Sequence, residues 1–376
     1  MLVVKSDDQV LKRNEEKTSE ELQPITEKKR NYTHRKKRNN WVEREELALA
    51  RHMPMFLKIN NAEINKDDST YGYAQFCRRF RRSKGLFMRL VGELETNYPY
   101  FQTTWDETNQ RSFSALQKCT STIRQLAKGY NPDSLDESLN MSEITSREAL
   151  ENFCYGVVQM YKAEYLRRPT STDIKLLYEA HEARHGFPGM FGIIDCTHWN
   201  WRNCLTELRG QYMRGDHQYP SMILEADPDC SFYLNGEHYK HGYYLADGIY
   251  PSWVVFVKAY TDKKIRFKAA QESARNDVER AFGVLKGCWD ILKMPARAMT
   301  VKKTKNIMHA CIILHNMILK DEGAAISHVY QPDSPTDEVS DQEIIHELRD
   351  AETHHQLRSD LIDYIEHVYI PTLDNN

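Results

Sequence analysis

The sequence predicts an α/β protein whose core is preceded by an all-helical region. Three observations carry this. From Trp41 to about Tyr161, apolar residues recur mostly at three- and four-residue steps, the period of a helix. After Arg168-Pro169 short apolar runs take over, two of them flanking Asn235-Gly236, a strong hairpin signal. From about Gln271 the helical period returns, so strands and then helices follow an all-helical start.

Residues 1–42 are polar, rich in Glu and Lys and without apolar periodicity, which predicts a disordered tail. A helical domain is expected over 43–180. In it Phe76, Phe80, Phe87, Leu90, Val91 and Leu94 form one stripe, and Phe113 to Lys128 reads as a helix stopped by Gly129. Ser134-Leu-Asp-Glu and Thr145-Ser-Arg-Glu each read as a helix start, with Leu139-Asn-Met-Ser as the tight connection. That outline is a helix-turn-helix, with Ser146 to Tyr161 in the recognition position and Arg147 as its natural DNA contact. Plain helical packing explains the same pattern equally well.

Over 181–322 the strand candidates are Gly192-Ile-Ile-Asp195, Ser221 to Ala226, Phe232-Tyr-Leu and Tyr243 to Asp247, followed by helices at about 271–286 and 301–320. Residues 323–376 supply an acidic, proline-bearing linker and a last amphipathic helix, Ile344 to Val368.

Composition narrows the function. No run of eighteen apolar residues exists, so no membrane span is expected, and the first thirty residues show no secretory signal. The eight cysteines form no CxxC pair, which fits neither a zinc site nor a disulfide framework and suits a reducing compartment. Net charge is −3, so any positive surface must be local. Lys28, Lys29, Arg30, Arg35, Lys36, Lys37 and Arg38 place seven cations in eleven positions, a nuclear import signal, a phosphate contact or merely a solvated tail. Arg78, Arg79, Arg81 and Arg82 make a second cluster and a second candidate nucleic-acid contact.

Phosphodiester hydrolysis by two metals needs carboxylates from separate elements, because the ions must be held about 3.5–4 Å apart. Three acids sit where such a site needs them. Asp195 ends the run Gly192-Ile-Ile; Asp247 ends Tyr-Tyr-Leu-Ala and precedes Gly-Ile-Tyr-Pro; Glu279 lies beside the stripe Val278, Phe282 and Leu285, with Arg275 one turn earlier. Singly, each is more often a surface or capping acid. Together, on two strand ends and one helix, they are specific, and they suit Mg²⁺ or Mn²⁺. His198 is a candidate water activator or a structural histidine. Trp199 and Trp201 are candidate base stackers or packing residues; Arg202, Arg214 and Lys264 are candidate phosphate contacts. His315-Asn316 read as buried polar groups with fixed partners.

The stretches FCRRFRRSKGLFMRLV, LQKCTSTIRQLA, EYLRRPT, GFPGMFGIIDCTHWNWRNC, GYYLADGIYPSW, ARNDVERAFGVLK and IMHACIILHNMI resemble plant PIF/Harbinger-type transposases and the nucleases derived from them. The resemblance runs from about Arg78 to Met317. It implies an RNase H-like core with Asp195, Asp247 and Glu279 as DDE metal ligands, DNA as substrate, a nuclear location and, as in two-component relatives, a separate Myb-like DNA-binding partner; an oligomer is compatible with it.

One departure stands out. Between SMILEA and FYLNGEHYKHGYYLAD the family carries several dozen further residues, whereas this chain passes from Ala226 through Asp-Pro-Asp-Cys to Ser231. An RNase H-like sheet would thereby lose a strand and its covering helix. That exposure costs on the order of several kcal/mol at about 25 cal/mol per Å². Two functions are therefore expected as alternatives: a metal-dependent DDE endonuclease, or a catalytically impaired DNA- or chromatin-binding derivative, down to a decayed transposon copy.

Overall fold

The computed structural model describes residues 73–374, except 106, 108, 110, 136–138, 168, 195–198, 207–208, 210–220, 223–231, 247–252, 259–264 and 324–349. The described residues up to Gly156 form one unit and those from Val157 onward another. The basic run at 28–38 lies outside the described residues.

The first unit is helical. Helix α1 (Tyr73–Phe80) and α2 (Lys84–Asn97) bring Phe76, Phe80 and Phe87 into a ring cluster with centroids 4.4 to 6.0 Å apart. Ser83 caps α2 by accepting from the Leu86 amide. Helix α3 (Ala115–Lys128) opens with a Ser114/Gln117 capping box and closes on Gly129 at φ +61°. It is buried on nearly every side, so its polar side chains need internal partners. Lys118 donates to the Tyr100 carbonyl at 2.6 Å; Ser121 and Ser146 share a hydrogen bond of 2.6 Å; Gln125 donates to the Ser146 carbonyl at 2.9 Å.

The two bonds to Ser146 tie α3 to α4 (Glu143–Tyr165), which begins earlier than expected. Ser142, not Thr145, supplies the cap, its hydroxyl accepting from the Thr145 amide at 3.3 Å. Ahead of it the chain makes a 3₁₀ turn at Pro132–Leu135 and is helical again at Leu139, while 136–138 of the expected Ser134 helix start lie outside the described residues.

The second unit holds the sheet. Helix α5 (Ser171–His185) starts on a Thr170/Asp173 capping box and ends at Gly186, φ +74°. Strands β1 (Met190–Ile194), β6 (Tyr243–Ala246) and β7 (Phe256–Lys258) form one parallel sheet in the order β1-β6-β7. All four residues of β6 are buried, as a strand covered on both faces requires.

The alternation of side chains separates the faces. Met190, Tyr243, Leu245 and Val257 pack with Phe267, Ala270 and Ala274 of α6 (Ile265–Cys288) and with Leu357, Leu361 and Ile365 of α8 (Ala351–His367). Phe191 and Tyr244 pack instead with Ile174 of α5, flanked by Phe256. Between β1 and β6 lie β2 (Trp199–Asn200), β3 (Ser221–Met222) and the hairpin β4 (Phe232–Leu234)–β5 (Glu237–Tyr239). The hairpin turns on Asn235 and Gly236, φ +51° and +91°, as the dipeptide predicts. Strand β3 is seen for two residues only, and 223–226 of the expected strand lie outside the described residues.

Helices α7 (Val301–Asp321) and α9 (Pro371–Asp374) complete the unit. Arg266 clasps the chain end: it donates to the Ile365 and Val368 carbonyls at 2.8 Å and meets both Asp374 carboxylate oxygens at 2.8 Å. Those bonds hold the Asp374 pKa down at about 2.

Candidate functional site

The C-terminal ends of β1 and β6 are neighbours. The register pairs Gly192 with Tyr244, Ile193 with Leu245 and Ile194 with Ala246. Asp195 follows Ile194 and Asp247 follows Ala246; both acids lie outside the described residues, as do His198, Arg214 and Lys264. The third acid, Glu279, is exposed on α6, a helix that packs on β1. Of the stripe expected beside it, Phe282 and Leu285 are buried and Val278 is half-buried. Among the described residues no three His, Cys, Asp or Glu side chains gather in a metal-holding group.

Helix α6 is positioned by polar contacts that periodicity alone does not reveal. Gln271, fully buried, donates to the Val257 carbonyl at 3.2 Å, joining α6 to β7. Asp277, two residues before Glu279, takes Arg184 at 2.8 Å and His185 at 3.3 Å from α5, and Arg280 at 3.3 Å from its own helix. His185 is buried, and burial, against the pull of Asp277, lowers its pKa to about 4. His181 stands beside it, ring centroids 6.3 Å apart, and bonds the Met190 carbonyl at 2.9 Å. Its pKa is also lowered, first by burial. The sequence signal for this brace was His181 and His185 one turn apart just ahead of a strand, which the carboxylate pattern overshadowed.

Trp199 and Trp201 are structural. Their indoles are 3% and 0% exposed and donate to the carbonyls of Met294 at 2.7 Å and Ala298 at 2.8 Å. Two main-chain bonds, Ala296 N to Asn200 O at 2.7 Å and Arg202 N to Ala296 O at 3.0 Å, complete the junction. Neither ring face is available to a base. Asn316 donates to the Tyr165 carbonyl at 2.9 Å, the fixed partner expected of it, whereas Nδ1 of buried His315 has none.

The candidate DNA contacts of the first unit divide. Arg78 and Arg79 are exposed; Arg81 is half-buried at φ +59°, closing α1; Arg82 is 3% exposed with Nε on the Phe80 carbonyl at 3.4 Å. Burial removes Arg82 from any surface a phosphate can reach. Arg147 is exposed and ion-paired with Glu143 one turn earlier. Ser146, at the head of the expected recognition helix, faces α3 rather than solvent. With Glu148 and Glu151 next along α4, this helix presents an excess of acids, a poor match for phosphates.

Residues 163–230 and 226–326 match the family of plant transposon proteins. The match comes in two pieces that meet at 226–230, where the sequence passes directly from Ala226 to Ser231. The chain is also similar to the Arabidopsis thaliana protein named Antagonist of Like Heterochromatin Protein 1, 22% identical over 310 positions covering 69% of this chain and 76% of that protein. Since 69% of 376 residues is about 259, about 50 of those 310 positions face a gap in this chain. No solved structure matches the chain. Over its second unit the chain is thus similar to plant transposon proteins, and the family match breaks into its two pieces where Ala226 leads to Ser231.

Proposed function

We propose that the chain is a transposase-derived, metal-dependent DNA nuclease on an RNase H-like plan, with Asp195, Asp247 and Glu279 as the ligands. The observation that carries this reading is the parallel pairing of Ile194 with Ala246. Asp195 and Asp247 are the next residues in sequence after this pair, and α/β sheets bind ligands outside the carboxyl ends of such strands. Three carboxylates offer the hard oxygen donors that Mg²⁺ or Mn²⁺ takes. Once bound, the ions would supply Lewis acidity at the scissile phosphate. The protein's own part is to hold the carboxylates: β1 and β6 through their shared register, and α6 through Asp277 and Gln271. The basic run that includes Lys36, Lys37 and Arg38 would direct the chain to the nucleus.

Supercoiled plasmid incubated with the full chain and Mn²⁺ should be nicked, and Asp195→Asn or Glu279→Gln should abolish nicking. A wild-type rate no higher than that of Asp195→Asn would overturn the nuclease reading.

A second reading rests on the shortening at Ala226: a chromatin-associated binding protein that has lost cleavage. The name of the Arabidopsis relative, an antagonist of a heterochromatin protein, points the same way. A Myb-like partner, as in two-component relatives, fits either reading.

A further inference from the structure

The positive surface of the second unit is not where the arginine clusters of the sequence draw the eye. Residues 291–320 contain neither Asp nor Glu, although 54 acids among 376 residues would place about four there. The first half of that run holds Lys293, Arg297, Lys302, Lys303 and Lys305. Lys293 pairs with Asp290 at 2.6 Å; Arg297, Lys302 and Lys303 are exposed and Lys305 is half-buried. Exposed Arg202 joins them from the other side, its amide bonded to Ala296.

A charge run alone is usually a solvated face. Here the backbone beneath it is immobilised: the buried Trp199 and Trp201 indoles, the Asn203 side chain on the Arg297 carbonyl at 2.7 Å, and the Ala296 ladder bonds fix 294–298 to β2. Cations on such a base lose less entropy when they meet a ligand than cations on a free tail. The location is also specific. Trp199 is four residues after Asp195, at most about 14 Å of extended chain. Duplex DNA carries one charge per about 1.7 Å of axis, so a substrate at the strand ends would have several phosphates within reach of this ridge.

We infer that the ridge formed by Arg202, Arg297, Lys302, Lys303 and Lys305 is a sequence-independent track for the phosphate backbone of duplex DNA. It deepens the nuclease reading by assigning the surface that holds the substrate beside the strand ends, and it takes over the role expected of Ser146 to Tyr161. Its contacts are electrostatic, so affinity falls with salt by a log–log slope of about 0.9 per phosphate contacted.

The test uses the full chain in EDTA, which separates binding from cleavage, and a 30-base-pair duplex of arbitrary sequence as probe. Arg202→Ala with Lys302→Glu and Lys305→Glu should weaken binding at least tenfold and lower the salt slope by about two to three. Lys302→Arg with Lys305→Arg should bind like wild type, and an unchanged melting temperature shows that the variants fold. Unaltered affinity and slope in the charge-reversed variant would overturn the track. Metal-dependent nicking by the wild-type chain would then still stand. Conversely, binding lost in the variant by a chain that never nicks leaves the track and removes the nuclease.

Discussion

Acidification should loosen the second unit, and His185 should account for a large share of the loss. Its ring is 3% exposed, Nε2 lies 3.3 Å from Asp277, and Nδ1 has no hydrogen-bond partner. Burial brings its pKa to about 4 from the ordinary 6.5, with His181 and Arg184 adding to the fall and Asp277 opposing it. The folded pKa lies below the unfolded one, so protons bind the unfolded chain first. Nothing is lost above about pH 6.5; the penalty grows as pH falls and saturates near pH 4. The full difference corresponds to about 3 kcal/mol, and about 2 kcal/mol is reached at pH 5. That is a large part of a domain stability of about 5–15 kcal/mol. Urea unfolding of wild type and His185→Gln between pH 7 and 4.5 measures it. The variant keeps a neutral donor toward Asp277 but does not titrate, so its stability should fall about 2 kcal/mol less by pH 5. Its curve should not be flat, because burial lowers the pKa of His181, His315 and His354 as well. Parallel curves for the two proteins would refute the assignment to His185.

Gly189 sits at φ +68°, and a Cβ there would lie 2.1 Å from the Phe232 ring, so Gly189→Ala should cost on the order of 3 kcal/mol or prevent folding. Gly85→Ala, on an open stretch of α2, should instead be neutral or gain about 0.5–1 kcal/mol; equal melting temperatures for the two variants would refute the packing argument. Mg²⁺ or Mn²⁺ at a hundredfold over Kd should stabilise the full chain by about 2.7 kcal/mol, and Asp195→Asn or Glu279→Gln should remove the gain. No metal response in the wild type would sink the ligand assignment even if DNA binding persisted. Replacing Lys36, Lys37 and Arg38 with Ala should move a fluorescent fusion from nucleus to cytoplasm, and an unchanged nuclear signal would take that role from the run.

What the sequence made legible was local. Gly129 as a stop for α3, the Asn235-Gly236 hairpin, the apolar run into Ile194 and the stripe Phe282 and Leu285 each follow from one residue's backbone freedom or one helical period. What it hid depends on partners distant in the chain. Nothing near Ser146 says that its hydroxyl meets Ser121, 25 residues earlier. Thr145-Ser-Arg-Glu has the letters of a capping box, yet Ser142 three residues earlier wins because its hydroxyl is placed to take the Thr145 amide. Arg82 counts as charge in a cluster and is buried in the fold. Trp201 could be read as a stacking platform until a carbonyl 97 residues away is seen to take its N–H.

The shortening at Ala226 raised the question whether the scaffold survives it. The described core answers in physical terms. β6 pairs with β1 on one side and β7 on the other, and all four of its residues are buried. One face is closed from the C-terminal end of the chain, where Leu357, Leu361, Ile362, Ile365 and Ile370 are each at most 3% exposed against α6 and the strands. Five such side chains contribute roughly 10 kcal/mol of gross burial at about 2 kcal/mol each, more than the several kcal/mol expected from a missing covering layer. The described parallel strands are thus covered by segments that lie outside the departure at Ala226. If cleavage fails while Mg²⁺ still raises the melting temperature, the cause lies in how substrate or Glu279 is presented and not in collapse of the core. The chain would then be a DNA-holding protein that has kept its carboxylates.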